Sequence, residues 1–237
     1  MMNLFYCPDI SDSTGHLSPD ESAHCIKVLR HRKGDFIQVT DGKGSVCEAR
    51  IVSDNPRSCT FQITRRNPFD FPHPCTIHIA IAPTKNMERF EWFLEKSVEL
   101  GTDTITPLIC RRSERKTVNR DRLHKLIISS VKQSFVPFMP VMNDPEDFNT
   151  FLEGTARTSA MKYIGHCGNT ERLWIRDTYV RGSDTILLIG PEGDFTPEEI
   201  EMAVRYDFIP VKLSDSRLRT ETAGVVACHT IHLLNGG

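Results

Sequence analysis

The sequence predicts an α/β protein with a small β-rich unit at its amino end, and three observations predict it. Asp184 to Ile189 is a short apolar run of buried-strand type that breaks at Gly190-Pro191-Glu192-Gly193, after which a helix begins. Ile209 to Leu213 repeats the pattern, with a turn from Ser214 and apolar or small residues Ala223, Val226, Ala227, Thr230, Ile231 and Leu234 at helical spacing. Upstream, Thr76 to Ala82, Lys85 to Leu100 and Thr104 to Cys110 read as strand, helix and strand, the β-α-β unit of a parallel sheet.

Taken in order, residues 1–70 carry short alternating or β-branched runs at Phe36 to Thr40, Ser45 to Val52 and Ser58 to Thr64, with Asp41-Gly42-Lys43-Gly44 as the turn between the first two. A small barrel or sandwich is the natural closure. Just before it, His24 to Gly34 concentrates Lys27, Arg30, His31, Arg32 and Lys33. That cluster is either a solvated helix end or an edge that contacts phosphates. Asn67 to Pro74 holds three prolines and reads as a linker, which sets domains at 1–70 and 75–237.

In the second domain the helix from Lys85 places Met87, Phe90, Phe93, Leu94 and Val98 on one face and is closed by Gly101. Arg111 to Lys132 is the most basic segment, and a helix from about Asn119 to Ser134 buries Leu123, Leu126, Ile127 and Val131. Arg120, Arg122 and Lys125 are then left to face solvent or a phosphate backbone. Residues 146–182 read as helix, strand around Ala160 to Ile164, and helix. Thr196-Pro197-Glu198-Glu199 combines an N-cap, a proline at the first helical position and a glutamate three past the cap, which together specify a helix start. The two strand-turn-helix units are expected to put their loops at the carboxyl ends of neighbouring strands, where open α/β sheets bind ligands.

Composition excludes several classes. Among 237 residues, 39% hydrophobic and 25% charged is globular usage, so disordered and fibrous chains are out. The net charge of −2 gives no global field toward nucleic acid, so any RNA contact must be local. No apolar stretch is long enough for a membrane helix and Met1 to Leu17 lacks a signal pattern, so a cytoplasmic location is expected. The eight cysteines form no Cys-x-x-Cys pair, and His229 and His232 lack ligand spacing, so no metal site is expected.

The loop at Gly190 lacks the Gly-x-Gly-x-x-Gly fingerprint and the Walker lysine, so dinucleotide and triphosphate sites are poorly supported. Amides near Gly193 and the hydroxyls of Thr220 and Thr222 suit a nucleoside with an amino-acid part, and Arg219 and Glu221 bring opposite charges to one turn. Those two charges either serve chemistry or pair with each other to brace the turn.

Ile189-Gly190-Pro191-Glu192-Gly193-Asp194-Phe195, followed by Leu213-Ser214-Asp215-Ser216-Arg217-Leu218-Arg219-Thr220-Glu221-Thr222-Ala223-Gly224, resembles the two signature motifs of the RsmE family, which methylates N3 of a uridine in 16S ribosomal RNA. Val28-Leu29-Arg30, Lys85, Glu95-Lys96, Glu99-Leu100-Gly101, Pro107, Ser113-Glu114 and Lys132-Gln133-Ser134 extend the resemblance over nearly the whole chain. It implies a PUA-like β-barrel joined to a SPOUT α/β domain with a trefoil-knotted, mostly parallel sheet, an exception to the unknotted-chain rule. It also implies S-adenosylmethionine as cofactor, 16S ribosomal RNA of the small subunit as partner, and a homodimer.

Carried onto matching positions, the cofactor residues are Ile189, Gly190, Pro191, Glu192, Gly193, Leu213, Ser214, Leu218, Arg219, Thr220, Thr222 and Ala223. Arg219 and Glu221 are the expected catalytic residues, and Lys27, Arg30, Arg32, Arg112, Arg115, Arg122 and Lys125 the expected RNA contacts. Ser214 and Asp207 stand where the family commonly has glycine, which matters where the backbone needs positive φ. A ribose 2′-O methyltransferase of the same superfamily and a non-catalytic RNA-binding assembly factor are the alternatives.

Overall fold

The computed structural model describes residues 3–10, 13–69, 73–168 and 171–236. The chain forms two compact units, Met1–Phe71 with Ile128–Met139, and Pro72–Ile127 with Pro140–Gly237.

The first unit contains β1 (Leu4–Tyr6), β2 (Thr14–His16), α1 (Pro19–Ala23) running into a π-helical turn at His24–Val28, β3 (Phe36–Thr40), β4 (Ser45–Ser53) and β5 (Thr60–Pro68). Its sheet runs β1-β3-β4-β5-β2, antiparallel except for β1 beside β3. The two edges approach each other, because the Cys7 thiol after β1 donates to the His16 carbonyl in β2 at 3.3 Å. Alternate residues of the strands point inward, and Phe5, Ile37, Val39, Ile51 and Phe61 make a fully buried core. In the Asp41–Gly44 turn, Gly44 has φ +99° and a Cβ there would lie 2.5 Å from the Phe138 ring, so conformation and packing both require glycine.

Two sequence expectations differ here. Asn67 and Pro68 belong to β5, paired with Val46 and Ser45, while residues 70–72 of the proline-rich stretch lie outside the described residues. A proline is accommodated there because it stands at the strand's last position. Residues 128–139, read as part of the second domain, pack in the first unit: Lys132 pairs with Glu21 at 2.6 Å and stands over the Phe5 ring, and the Gly44 amide donates to Pro137.

The second unit runs β6 (Ile77–Ile81), α2 (Met87–Glu99), β7 (Thr104–Ile109), α3 (Arg120–Ser134, divided between the units), β8 (Val141–Met142), β9 (Glu146–Asp147), α4 (Phe148–Gly154), β10 (Met161–Gly165), β11 (Leu173–Trp174), α5 (Ile175–Thr178), β12 (Thr185–Ile189), α6 (Pro197–Arg205), β13 (Ile209–Lys212) and α7 (Thr220–Leu234). The sheet order is β11-β13-β10-β12-β6-β7-β8, with β9 also on β7, and every pairing is parallel. Strands covered on both faces read as continuous apolar runs, and all five residues of β12 are buried. Side chains alternate between two cores: Ile77, Ile79 and Leu187 join Phe90, Phe93 and Ile231, whereas Ala80 and Leu188 join Phe151, Ile200 and Phe208.

The helix ends follow their sequence signals. Asn86 caps α2 by accepting from the Glu88 amide, and Gly101 closes it at φ +74°. Thr196 and Glu199 form the full capping box of α6. Helix α7 begins at Thr220, so Thr220, Glu221 and Thr222 lie in its first turn and not in the preceding loop. Among the described residues no helix is long and apolar enough to cross a membrane.

One expectation about topology is corrected. β12 and β13 are not neighbours, because β10 lies between them and pairs with both. The central place suits β10, whose Tyr163 and Ile164 are fully buried. Its carboxyl end therefore brings a third loop to the same edge.

Candidate active site

The carboxyl ends of β10, β12 and β13 open into a cavity of about 280 Å³. Gly165, His166 and Cys167 come from β10, with Arg172 beyond; Ile189, Gly190, Pro191, Glu192 and Asp194 follow β12. Val211 to Ser214 and Ser216 to Arg219 follow β13, and Thr220 and Ala223 stand at the start of α7. Of the expected cofactor residues, Gly193 and Thr222 are not in this lining, nor is Glu221.

The loops are tied to one another by side chains that accept or donate across strand boundaries. Asp194, held at φ +64°, accepts from the Cys167 amide at 2.8 Å with one oxygen and from the Phe195 amide at 2.9 Å with the other. Thr220 Oγ1 donates to the Gly190 carbonyl at 3.0 Å, which fixes the start of α7 to the first loop. A Cβ at Gly190 would come within 3.1 Å of the Phe195 ring, which is buried, so the close turn depends on that glycine.

Further ties to these loops come from the segment after β7. The Glu199 carboxylate is buried and accepts from the amides of Arg111 and Thr196, each at 2.8 Å. Arg112 Nη1 donates to the carbonyls of Gly193 and Phe195 at 2.8 and 3.3 Å. Arg115 donates to the Lys85 carbonyl, and the Lys85 amide donates to Glu192 at 2.9 Å. Arg112 and Arg115, expected to hold RNA, are thus engaged with backbone carbonyls.

Neither departure from glycine strains the site. Ser214 is not among the residues with positive φ, and its hydroxyl accepts from the Ser216 amide at 3.2 Å, closing the turn. Asp207 does take φ +65°, a region that aspartate tolerates.

Arg219 is exposed on the cavity wall and forms no ion pair among the described residues, so it does not brace the turn against Glu221. Glu221 is 7% exposed, and its Oε2 meets no hydrogen-bond donor among the described residues. A buried carboxylate oxygen left in that state is costly to the fold. Burial holds the His166 imidazole below its ordinary pKa, Asp194 raising and Arg172 lowering it, and its Nδ1 accepts from the Gly168 amide.

The other expected RNA contacts divide. Lys27, Arg30 and Arg32 are exposed in the first unit, Arg30 at φ +62°. On α3, Lys125 faces solvent without an ion pair among the described residues. Arg122 makes two bonds to Glu91 at 2.6 and 2.7 Å, and Arg120 pairs with Asp144. The carboxylates that take them lie 31 and 24 residues away, beyond the reach of a helical periodicity argument.

His166, Cys167 and Arg172 were missed from sequence because residues 146–182 gave only a coarse element reading. The available signal was Gly165 and Gly168 enclosing a turn immediately after a strand.

An open parallel sheet with its cavity at the strand ends, in a chain that also carries a small β-barrel unit, defines the class. The chain matches the RNA methyltransferase domain over residues 71–232 and the RNA methyltransferase PUA domain over residues 17–64. It is an RNA methyltransferase with a PUA-like barrel. A probable rRNA-methyltransferase from Porphyromonas gingivalis is 41% identical, with a TM-score of 0.91 over 99% of this chain and 98% of that one. Ribosomal RNA small subunit methyltransferase E of Neisseria gonorrhoeae, crystallised with S-adenosyl methionine, is 28% identical with a TM-score of 0.86 over 99% and 98%. The enzyme of the same name from Mesomycoplasma hyopneumoniae is 30% identical over 84% of this chain and 86% of its own. The chain belongs to the ribosomal RNA small subunit methyltransferase E family, RsmE.

Proposed function

We propose that the protein methylates N3 of a uridine in the 16S RNA of the small ribosomal subunit. The observation that carries this is the joining of the two signature segments at one cavity through the bond from Thr220 to Gly190, with Asp194 tying in the loop after β10 at Cys167. The lining fits S-adenosylmethionine: Ile189, Val211, Leu213, Leu218 and Ala223 offer an apolar wall to an adenine ring, and peptide groups of the two loops suit its polar edge and the ribose. When bound, the cofactor supplies an electrophilic methyl on a sulfonium.

Ile189, Gly190, Pro191, Glu192, Leu213, Ser214, Leu218, Arg219, Thr220 and Ala223 hold it in this reading, with Gly193 and Thr222 shaping the two turns from outside the lining. The residues of the chain then have two tasks, to orient the base in line with the methyl and to favour loss of the N3 proton. Arg219 faces the cavity as an unpaired cation and neutralises the charge that develops on the uracil ring. Glu221, behind it in the first turn of α7, supports that position with a carboxylate the fold itself leaves incompletely bonded.

Lys27, Arg30 and Arg32 grip RNA phosphates from the barrel of residues 1–70, with Lys125 as a further contact on the methyltransferase domain of 75–237. Arg112 and Arg115 add positive potential there while holding their loops, and Arg122 adds to it from α3 beside Glu91. The segment between β12 and α7 is read as the SPOUT trefoil knot, the molecule as a homodimer, and its place of action as the cytoplasm.

The test is incubation with S-adenosylmethionine and small ribosomal subunits lacking the mark, followed by RNA digestion and mass spectrometry. 3-Methyluridine is expected, and Arg219→Ala should lower turnover while leaving the fold intact. A methylated ribose would replace this reading with the 2′-O one. Cofactor binding failing along with product would favour the non-catalytic alternative.

A further inference from the structure

We infer that the sheet edge formed by β11 and the end of β13 carries the phosphate backbone of the substrate RNA past the cavity mouth, an assignment that rests on the RNA methyltransferase reading. Two cations are gathered on one ring here: the Arg176 guanidinium lies 4.5 Å and the Lys212 ammonium 4.3 Å from the centroid of Trp174. An aromatic face attracts cations without cancelling their charge. Their carboxylate neighbours, Asp177 at 3.6 Å and Asp215 at 3.3 Å, have side chains 64% and 83% exposed, so these are weak pairs that a phosphate can replace at little cost.

Arg172, Lys212, Arg217 and Arg219 continue that charge into the cavity wall. Segments 171–177 and 212–219 together hold five Arg or Lys against Glu171, Asp177 and Asp215, in a chain whose net charge is −2. The cavity's cofactor bears a positive sulfonium, so crowding cations around it weakens binding unless a polyanion arrives to offset them. An RNA backbone is that polyanion, and Leu173, half exposed on the same strand, offers an apolar contact to a sugar or base. Elsewhere in this unit Arg120 and Arg122 are paired with carboxylates and Arg112 and Arg115 with carbonyls. The edge beside Trp174 is the cluster that runs on into the cavity wall.

Arg176 is exposed and outside the cavity lining, so its substitution tests the surface without touching the cofactor wall. Unmethylated small subunits are titrated with the full chain at several salt concentrations, and S-adenosylmethionine affinity is measured in parallel by calorimetry. Arg176→Glu should raise the Kd for the subunit about tenfold and lower the slope of log Kd against log salt by about 1. Cofactor affinity without RNA should stay within about twofold of wild type or improve, and Arg176→Lys should restore subunit affinity. Unchanged affinity and slope in Arg176→Glu would overturn the assignment. So would a changed oligomeric state with RNA affinity intact, which would make the edge a protein interface. Methylation by the wild type is followed in the same samples: its absence counts against the functional reading, while subunit affinity still decides this one.

Discussion

Glu199→Gln should destabilise the second unit through one carboxylate. Both oxygens of Glu199 accept backbone amides, Thr196 at 2.8 Å within α6's own cap and Arg111 at 2.8 Å from the loop after β7. A glutamine has one acceptor oxygen, so one amide would face its NH₂ group and lose its partner. Thr196 is buried, so leaving its amide unpaired costs about 2 kcal/mol, and weakening the bond to the partly buried Arg111 amide adds about 1. The expected loss of about 3 kcal/mol is a large share of a typical domain's stability. The chain's two tryptophans, Trp92 and Trp174, both lie in the second unit, so urea unfolding followed by tryptophan fluorescence reads the right part of the molecule. A midpoint within error of wild type would mean that the clamp adds nothing to the fold, and the account of Glu199 as the tie between the two loops would fail.

Three further outcomes are expected. His78 is half-buried and bonded to Thr106, and desolvation lowers its pKa from 6.5 to about 4, so between those values the unfolded chain takes a proton that the folded chain refuses. Stability should be full above pH 6.5 and fall as pH drops toward 4, by about 3 kcal/mol from this group; in His78→Gln the urea midpoint should lose that part of its pH dependence, and an unchanged profile would refute the linkage. Thr220→Val removes the hydroxyl that donates to the Gly190 carbonyl while keeping side-chain shape, and calorimetry should show S-adenosylmethionine binding weakened by up to about tenfold at a cost of about 1 kcal/mol in stability. Gly224→Ala places a Cβ 2.6 Å from Phe93 and 2.8 Å from Ile81, both fully buried, so overpacking of about 2 kcal/mol should outweigh the roughly 1 kcal/mol gained in helix propensity and the melting temperature should fall.

Local signals were legible and spatial order was not. Thr196-Pro197-Glu198-Glu199 announces α6 because capping is settled within four residues, and Gly101 announces the end of α2 for the same reason. The barrel strands were visible as alternation, since a surface strand has one wet face. The place of β10 between β12 and β13 had no local signal, because parallel pairing is set by which apolar strands meet in the interior. That one insertion is also why Gly165, His166 and Cys167 escaped a reading centred on two turns. Pairing partners were similarly hidden: nothing near Arg122 in sequence indicates Glu91, and nothing near Arg112 indicates the Gly193 carbonyl.

The insertion of β10 also sets a timetable. Strand β6, made early, pairs with β12 over a separation of 108 residues, from Ile79 to Leu187, and the cavity closes only when Thr220 reaches Gly190. Synthesis therefore delivers β12 after both of its neighbours, β10 and β6, and a nascent chain released before α7 has Gly190 and Gly193 but no enclosed cavity. Closing such long loops is slow, and unpaired apolar strands wait exposed meanwhile. The binding site therefore exists only once α7 has been made and its first turn has met Gly190.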